Sequence, residues 1–281
     1  MGGAEYAVRQ IPNEYKYKND WMNLHAEEVE TLIIGNSYTE TGLNPEEING
    51  VSFNLSISGQ YYAYSHFLFF KYAKRYKSLK TLILPITYFN FYTNIGDINS
   101  RMEEVYYRVY MESPFHTRDI SYNIEMLYFK PLYVKILQHI TGNDVKWCFN
   151  GWVPEDVENK SPVWNAEHVN KSLARIYTTH LFENVSANFM YILEILNYCK
   201  DHNVKLIMIS TPYTKEFYNC LNKIQINHTQ QIVNNLVQKY HLDYFDYRQD
   251  VRFKDEDFYD QSHLSNIGAT KFTRILMKDI H

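Results

Sequence analysis

Ser37 stands in TLIIGNSYTETGLNP, residues 31–45, where an apolar, β-branched run stops at Gly35 and Asn36. Serine caps turns routinely, but at the end of a buried strand its hydroxyl can also be presented for attack. Near the other end of the chain, Asp260 and His263 lie three apart in FYDQSHLSNIGATKF, residues 258–272, ahead of Gly268 and Ala269. A serine hydroxyl is a poor nucleophile near neutral pH. It needs an adjacent base, and the base needs a carboxylate that fixes its tautomer and stabilises the imidazolium. Ser37 as nucleophile, His263 as general base then acid, and Asp260 as orienting group would supply these three functions. Taken singly, Ser37 reads as a turn residue and His263 as a helix-entry residue; taken together they are candidates for acyl transfer.

Such groups must be carried to one place by the fold. Short apolar runs at 29–35, 51–56, 79–86, 204–210 and 242–247 are apolar on both faces, as strands of a parallel sheet covered by helices are. Helix-like stretches cover 61–77, 188–202, 215–240 and 266–280. The alternation predicts an α/β chain with a doubly wound parallel sheet, whose sites form at the carboxyl ends of the strands. Ser37, Gly59, Thr87, Ser210 and the segment after Tyr247 all fall at that edge. Residues 1–28 read as an N-terminal extension and 29–281 as a single domain. Within it, 89–184 breaks the alternation and reads as a mainly helical and loop insertion after the third strand, or a cap over the site, being too long for an ordinary loop. A helix-like run at 119–139 belongs to it. Its Trp147, Trp152 and Trp164 either pack locally or face a sugar, and are the candidate substrate-binding residues.

Other chemistries find little support. The formal charge is −4, and KYAKRYK at 71–77 is the densest basic stretch, which disfavours a nucleic-acid partner. There is no G-x-G-x-x-G after the first strand and no G-x-x-x-x-G-K-[ST] anywhere, so the familiar phosphate-cradling loops are missing. The 3 cysteines, Cys148, Cys199 and Cys220, lack metal-ligand spacing, and spacing leaves open whether Cys199 and Cys220 pair. His116, His168, His180, His202 and His241 have no carboxylate or cysteine at ligand spacing, so neither a metal nor a cofactor is expected. No apolar run reaches the length of a membrane span, and MGGAEYAVRQ lacks the core of a signal peptide. Its Met-Gly-Gly start resembles a cloning remnant, so an anchoring segment is expected to be missing.

The three groups, with Gly59 between them, resemble the SGNH/GDSL hydrolase superfamily. Its first block resembles Gly35-Asn36-Ser37 with Thr39 to Leu43 following, its second Asn54 to Gln60 with Gly59, and its last Asp260 to Ala269. The resemblance implies a flavodoxin-like three-layer sandwich, an acyl-Ser37 intermediate, and an oxyanion hole containing the Ser37 and Gly59 amides. Asn36 stands where the family usually has Asp. The third block, G-x-N-D, is absent, and LPITYFNFY at 84–92 stands in its place, leaving Thr87, Tyr88 or Asn90 as third donor. The departed pattern resembles the domains of bacterial cell-envelope glycan systems, including the D-alanyl-transfer protein of teichoic-acid synthesis. That implies an O-acyltransferase or esterase acting on a cell-surface glycan, extracytoplasmic and membrane-anchored, with a membrane-bound acyl-donating partner. The alternative is a binding module that kept the fold and lost efficient catalysis.

Overall fold

The structure is a computed structural model and describes residues 2–95, 101–116, 118–142, 150–156, 158, 167, 169–170, 173 and 182–280. Among these, β1 (Thr31–Ile33), β2 (Ser52–Asn54), β3 (Thr81–Pro85), β4 (Lys205–Ser210) and β5 (Asp243–Asp246) form one sheet of order β2-β1-β3-β4-β5, with every pairing parallel. Each strand lies inside the run expected for it.

Strand alternation divides the core into two layers. Phe53, Leu32, Leu82 and Leu206 are in register across the sheet and face one side; Ile33, Ile83 and Ile207 form the next row and face the other. The first side is covered by α2 (Glu14–His25), α4 (Tyr62–Tyr72), α7 (Val185–Asp201) and α9 (Lys223–Tyr240), and the second by α10 (Asn266–Asp279). The order reverses between β1 and β3, where open α/β sheets bind ligands. Ser37 follows β1 and Asn90 follows β3, so both lie at this crevice.

Differences from the expected elements have local causes. The stretch 215–240 is two helices, α8 (Lys215–Cys220) and α9, because Leu221 and Asn222 are extended and the Asn222 carboxamide caps α9 at the Ile224 amide (2.9 Å). The run 119–139 starts as two 3-10 turns and becomes helical only over α6 (Phe129–Ile140). Residues 2–25 form α1 (Gly2–Gln10) and α2, and α2 places Tyr15, Met22 and the fully buried Lys18 in the interior.

The described parts of 89–184 do not act alike. On α5 (Arg101–Tyr110), Val105 and Tyr107 are fully buried, and Tyr107 stacks on Tyr64 at 3.7 Å between ring centres, so this helix completes the core beside α4. Residues 150–156 instead form a strap along the strand edge. Asn150 accepts from the Asn54 amide (2.9 Å), and Val153 donates to the Glu40 carbonyl (3.4 Å). Gly151 has φ 81°, and a Cβ there would stand 2.0 Å from the Asn54 carbonyl, so only glycine fits. Trp147, Trp164 and Cys148 lie outside the described residues. Cys199 and Cys220 are free thiols.

Candidate active site

Ser37 opens a single helical turn, α3 (Ser37–Glu40), whose Asn36 cap accepts from the Tyr38 amide at 3.1 Å. Gly35 before it is demanded by packing, since a Cβ would fall 2.2 Å from the Pro85 ring at the end of β3. The strand therefore ends abruptly, and the next side chain but one is lifted above the sheet edge.

The histidine comes from a loop built to hold it. Phe258 and Leu264 form an isolated antiparallel bridge, and the Tyr259 amide donates to the His263 carbonyl (2.9 Å), closing a tight turn around Asp260 and His263. Ser265 fastens the loop to α10 by accepting from the Gly268 amide (3.2 Å) and donating to the Asp257 carbonyl (3.1 Å). Gly268 has to be glycine, because a Cβ would meet that carbonyl at 1.9 Å. The spacing Ser265 to Gly268 is thus a clamp on the turn.

These elements bring Ser37, His263 and Asp260 together. His263 Nε2 is 2.9 Å from Ser37 Oγ, and His263 Nδ1 is 2.9 Å from Asp260 Oδ2. Asp260 Oδ1 also accepts the amides of Ser262 (2.7 Å) and His263 (2.8 Å). Burial would raise the Asp260 pKa, but His263 and these amides outweigh it and hold the carboxyl well below the carboxylate range. Burial likewise works against a charged His263, yet Asp260, helped by the more distant charges of Glu155 and Glu40, leaves its pKa above the ordinary 6.5. Tyr38 stacks on the imidazole at 4.9 Å and 17°, fixing the ring plane.

Since the base must be neutral to take the Ser37 proton, kcat/KM for an activated ester should rise with pH through a limb centred above 6.5. In Asp260→Asn the limb should move to lower pH and the plateau fall by about 10⁴-fold. A pH–rate profile of both proteins checks the sign; an unmoved limb would assign it to another group.

The loops after β2 and β3 leave the sheet at the same edge as Ser37. Gly59 lies in the loop after β2 with φ 71°, and that loop is tied to the nucleophile turn by the Ile57 amide donating to the Gly35 carbonyl (3.2 Å). Among the described residues, no partner takes up the amides of Ser37 or Gly59. Of Thr87, Tyr88 and Asn90, Asn90 bonds to Asn36, next to Ser37. Its Oδ1 accepts from Asn36 Nδ2 (2.8 Å) and from Thr87 Oγ1, while its Nδ2 is buried with no hydrogen-bond partner. Thr87 spends its hydroxyl on orienting Asn90, and Tyr88 packs against Tyr38, Phe89 and Phe217. An aspartate at position 36 would be ionised and could not donate to Asn90. With its carboxamide as an oxyanion donor, Asn90→Ala should lower kcat by about 10²–10³-fold with KM little changed, and Thr87→Val by less. Steady-state kinetics separates the two; equal losses would make the pair structural.

No family model and no curated protein matches the sequence. Solved structures to which the chain is similar include a candidate acylhydrolase of Bacteroides fragilis, at 10% identity over 100% of this chain and 95% of that one, with a TM-score of 0.42. A GDSL-like lipase of Bacteroides thetaiotaomicron follows at 10% identity, 95% and 97% coverage, and a TM-score of 0.44. A candidate platelet activating factor of Streptococcus pneumoniae has 12% identity, 99% and 96% coverage, and a TM-score of 0.45.

The remaining candidate residues separate. Trp152 is 6% exposed, packed in the α10-side core, and its indole N–H donates to the Thr41 carbonyl (2.8 Å). Of the two alternatives, local packing describes Trp152, which pins the strap to the end of α3. The strap does bring Glu155 near the triad, its carbonyl accepting from the Asn266 amide (2.7 Å) at the start of α10. Burial raises the Glu155 pKa, with His263 opposing and Asp260 and Glu40 adding to the rise.

Sequence reasoning missed the support behind the oxyanion loop. Lys18 Nζ, fully buried on α2, donates to Glu14 (2.5 Å), to Glu40 (3.2 Å) and to the Ser56 carbonyl, and Ser58 beside Gly59 donates to the other Glu40 oxygen. Burial alone would raise the Glu40 pKa, but Lys18 and its hydrogen bonds keep it low; Glu14, buried beside Glu40, is pushed well up. The cluster of Lys18, Glu14, Glu40 and Ser58 joins α2, α3 and the loop after β2.

Proposed function

We propose that this chain is an SGNH-type serine enzyme that moves an acyl group through an acyl-Ser37 intermediate onto, or off, a bacterial cell-surface carbohydrate. One observation carries the chemistry: the 2.9 Å contact of Ser37 Oγ with a histidine whose other nitrogen is held by Asp260. In the first step Ser37 Oγ bonds to the acyl carbon, and His263 takes the serine proton and passes it to the departing oxygen. In the second step the acyl–Ser37 bond breaks as a sugar hydroxyl or water attacks, His263 accepting that proton and returning it to Ser37. In this reading the Ser37 and Gly59 amides and Asn90 Nδ2 donate to the oxyanion of both tetrahedral intermediates. The intact contacts among Ser37, His263 and Asp260 favour a working site over a pure binding module.

The glycan acceptor, an extracytoplasmic location, membrane anchoring and a membrane-bound acyl-donating partner follow from the resemblance of the sequence blocks. Among the described residues, no helix is long and apolar enough to cross a membrane. Mass spectrometry of Ser37 after incubation with candidate acyl donors, with and without oligosaccharide, tests the proposal. An acyl-serine that decays faster with sugar and yields acylated sugar identifies a transferase, and decay to free acid alone an esterase. Absence of any Ser37 adduct across acetyl and aminoacyl donors would leave the binding module.

A further inference from the structure

Surface helices of folded proteins aim their apolar stripe at the core, and α6, FKPLYVKILQHI, does the reverse. The residues it buries are Leu132 and Lys135, whereas Phe129, Tyr133, Val134, Leu137 and Ile140 are exposed, Phe129 and Ile140 by 79% and 76%. At 3.6 residues per turn these five side chains cover an arc of about 140°. The Phe129 and Tyr133 rings lie 6.4 Å apart, near-parallel, on that arc. Ile120, Met126 and Leu127, on the turns leading into α6, are exposed as well, so half of the exposed large apolar side chains among the described residues fall within 120–140. That concentration distinguishes a surface with a partner from scattered exposure.

The orientation is enforced. Lys135 Nζ donates to the Val8 carbonyl (3.1 Å), to Glu125 (2.8 Å) and to the Tyr110 hydroxyl (2.5 Å). Rotating α6 to hide its stripe would break all three bonds and leave the fully buried Glu125 carboxylate without its cation, a strongly unfavourable change. A buried ion pair here fixes which side of a helix looks outward.

Charge identifies what the stripe meets. From 126 to 142 there is no aspartate or glutamate, and the basic side chains are Lys130, Lys135 and His139, in a chain whose net charge is −4. Lys130 is exposed within the apolar arc. An apolar face with a basic fringe complements a lipid surface of negative headgroups, which takes apolar side chains below the phosphates and lysine at their level. Aromatic rings such as Phe129 and Tyr133 suit that depth. The helix is about 18 Å long, too short to span a bilayer and suited to lying in its surface. A second copy fits worse, because a two-fold interface would set this face against itself with no acidic group on α6 to receive either Lys130.

We propose that the outward face of α6 is a docking surface that seats the folded chain on an anionic membrane. Co-sedimentation of the full chain with vesicles tests it, using phosphatidylcholine alone and phosphatidylcholine mixed with phosphatidylglycerol. Binding should favour the anionic vesicles and weaken with salt. Val134→Glu with Leu137→Glu should lower the vesicle-bound fraction about tenfold or more, and Lys130→Glu should abolish the preference for anionic lipid. Ile140→Glu, at the helix end, should act in the same direction and stands in if the double variant fails to fold by circular dichroism. Absence of vesicle binding, equal binding by folded variants and parent, or a dimer that the Leu137 substitution dissolves would each overturn the proposal.

Discussion

Ser37→Ala should lose covalent labelling by a serine-reactive phosphonate and about 10⁴–10⁶-fold in turnover of an activated ester, with no loss of folded protein. The expectation of an intact fold comes from the surroundings of the side chain: its hydroxyl bonds to His263, whereas the turn is held by the Asn36 cap, the Gly35–Pro85 contact and the Asn36–Asn90 pair. Removing Oγ leaves His263 still held by Asp260 and Tyr38. Intact mass after phosphonate treatment, beside a thermal melt, checks both halves. Undiminished labelling of the variant would place the nucleophile elsewhere, and a collapsed melt would make Ser37 a structural residue.

The largest effect on stability is expected far from any motif. Lys18→Met removes the cation shared by Glu40, Glu14 and the Ser56 carbonyl and leaves a buried carboxylate uncompensated, which costs about 3–5 kcal/mol. Chemical denaturation should show a lower midpoint, and adding Glu40→Gln should recover much of the loss, because the stranded charge is then gone. Turnover should not recover equally, since Ser58 bonds to the Glu40 carboxylate next to Gly59. A double variant as unstable as the single one would show that Lys18 acts through packing and not through charge.

The sheet was readable because its strands are apolar on both faces, a pattern that a half-exposed strand or amphipathic helix does not make. Ser37, Asp260 and His263 could be named together from residue type, position and the resemblance of their blocks, and in the structure their turns rest on Gly35 and Gly268. Asn90 could be named only as one of three residues. What distinguishes it is a bond to Asn36, which is 54 positions away, and an amide left unpaired. Lys18 lay in what read as an extension, and nothing local marks a lysine that will be enclosed by Glu14, Glu40 and a backbone carbonyl. The break at Leu221 and Asn222 was hidden because helical periodicity runs through it, although Asn222 caps α9 at the Ile224 amide. Trp152 points inward because Gly151 turns the strap against Asn54, a backbone contact with no counterpart in composition.

Ser37 and His263 are 226 residues apart in sequence, and the loop that carries His263 is clamped to the start of α10 through Ser265. A ribosome therefore releases the serine turn long before the residues that activate it. On the proposed function, Ser37 is an ordinary alcohol until that loop docks. On that function, any change that loosens α10, however distant from substrate, should appear first as loss of turnover and only later as loss of secondary structure.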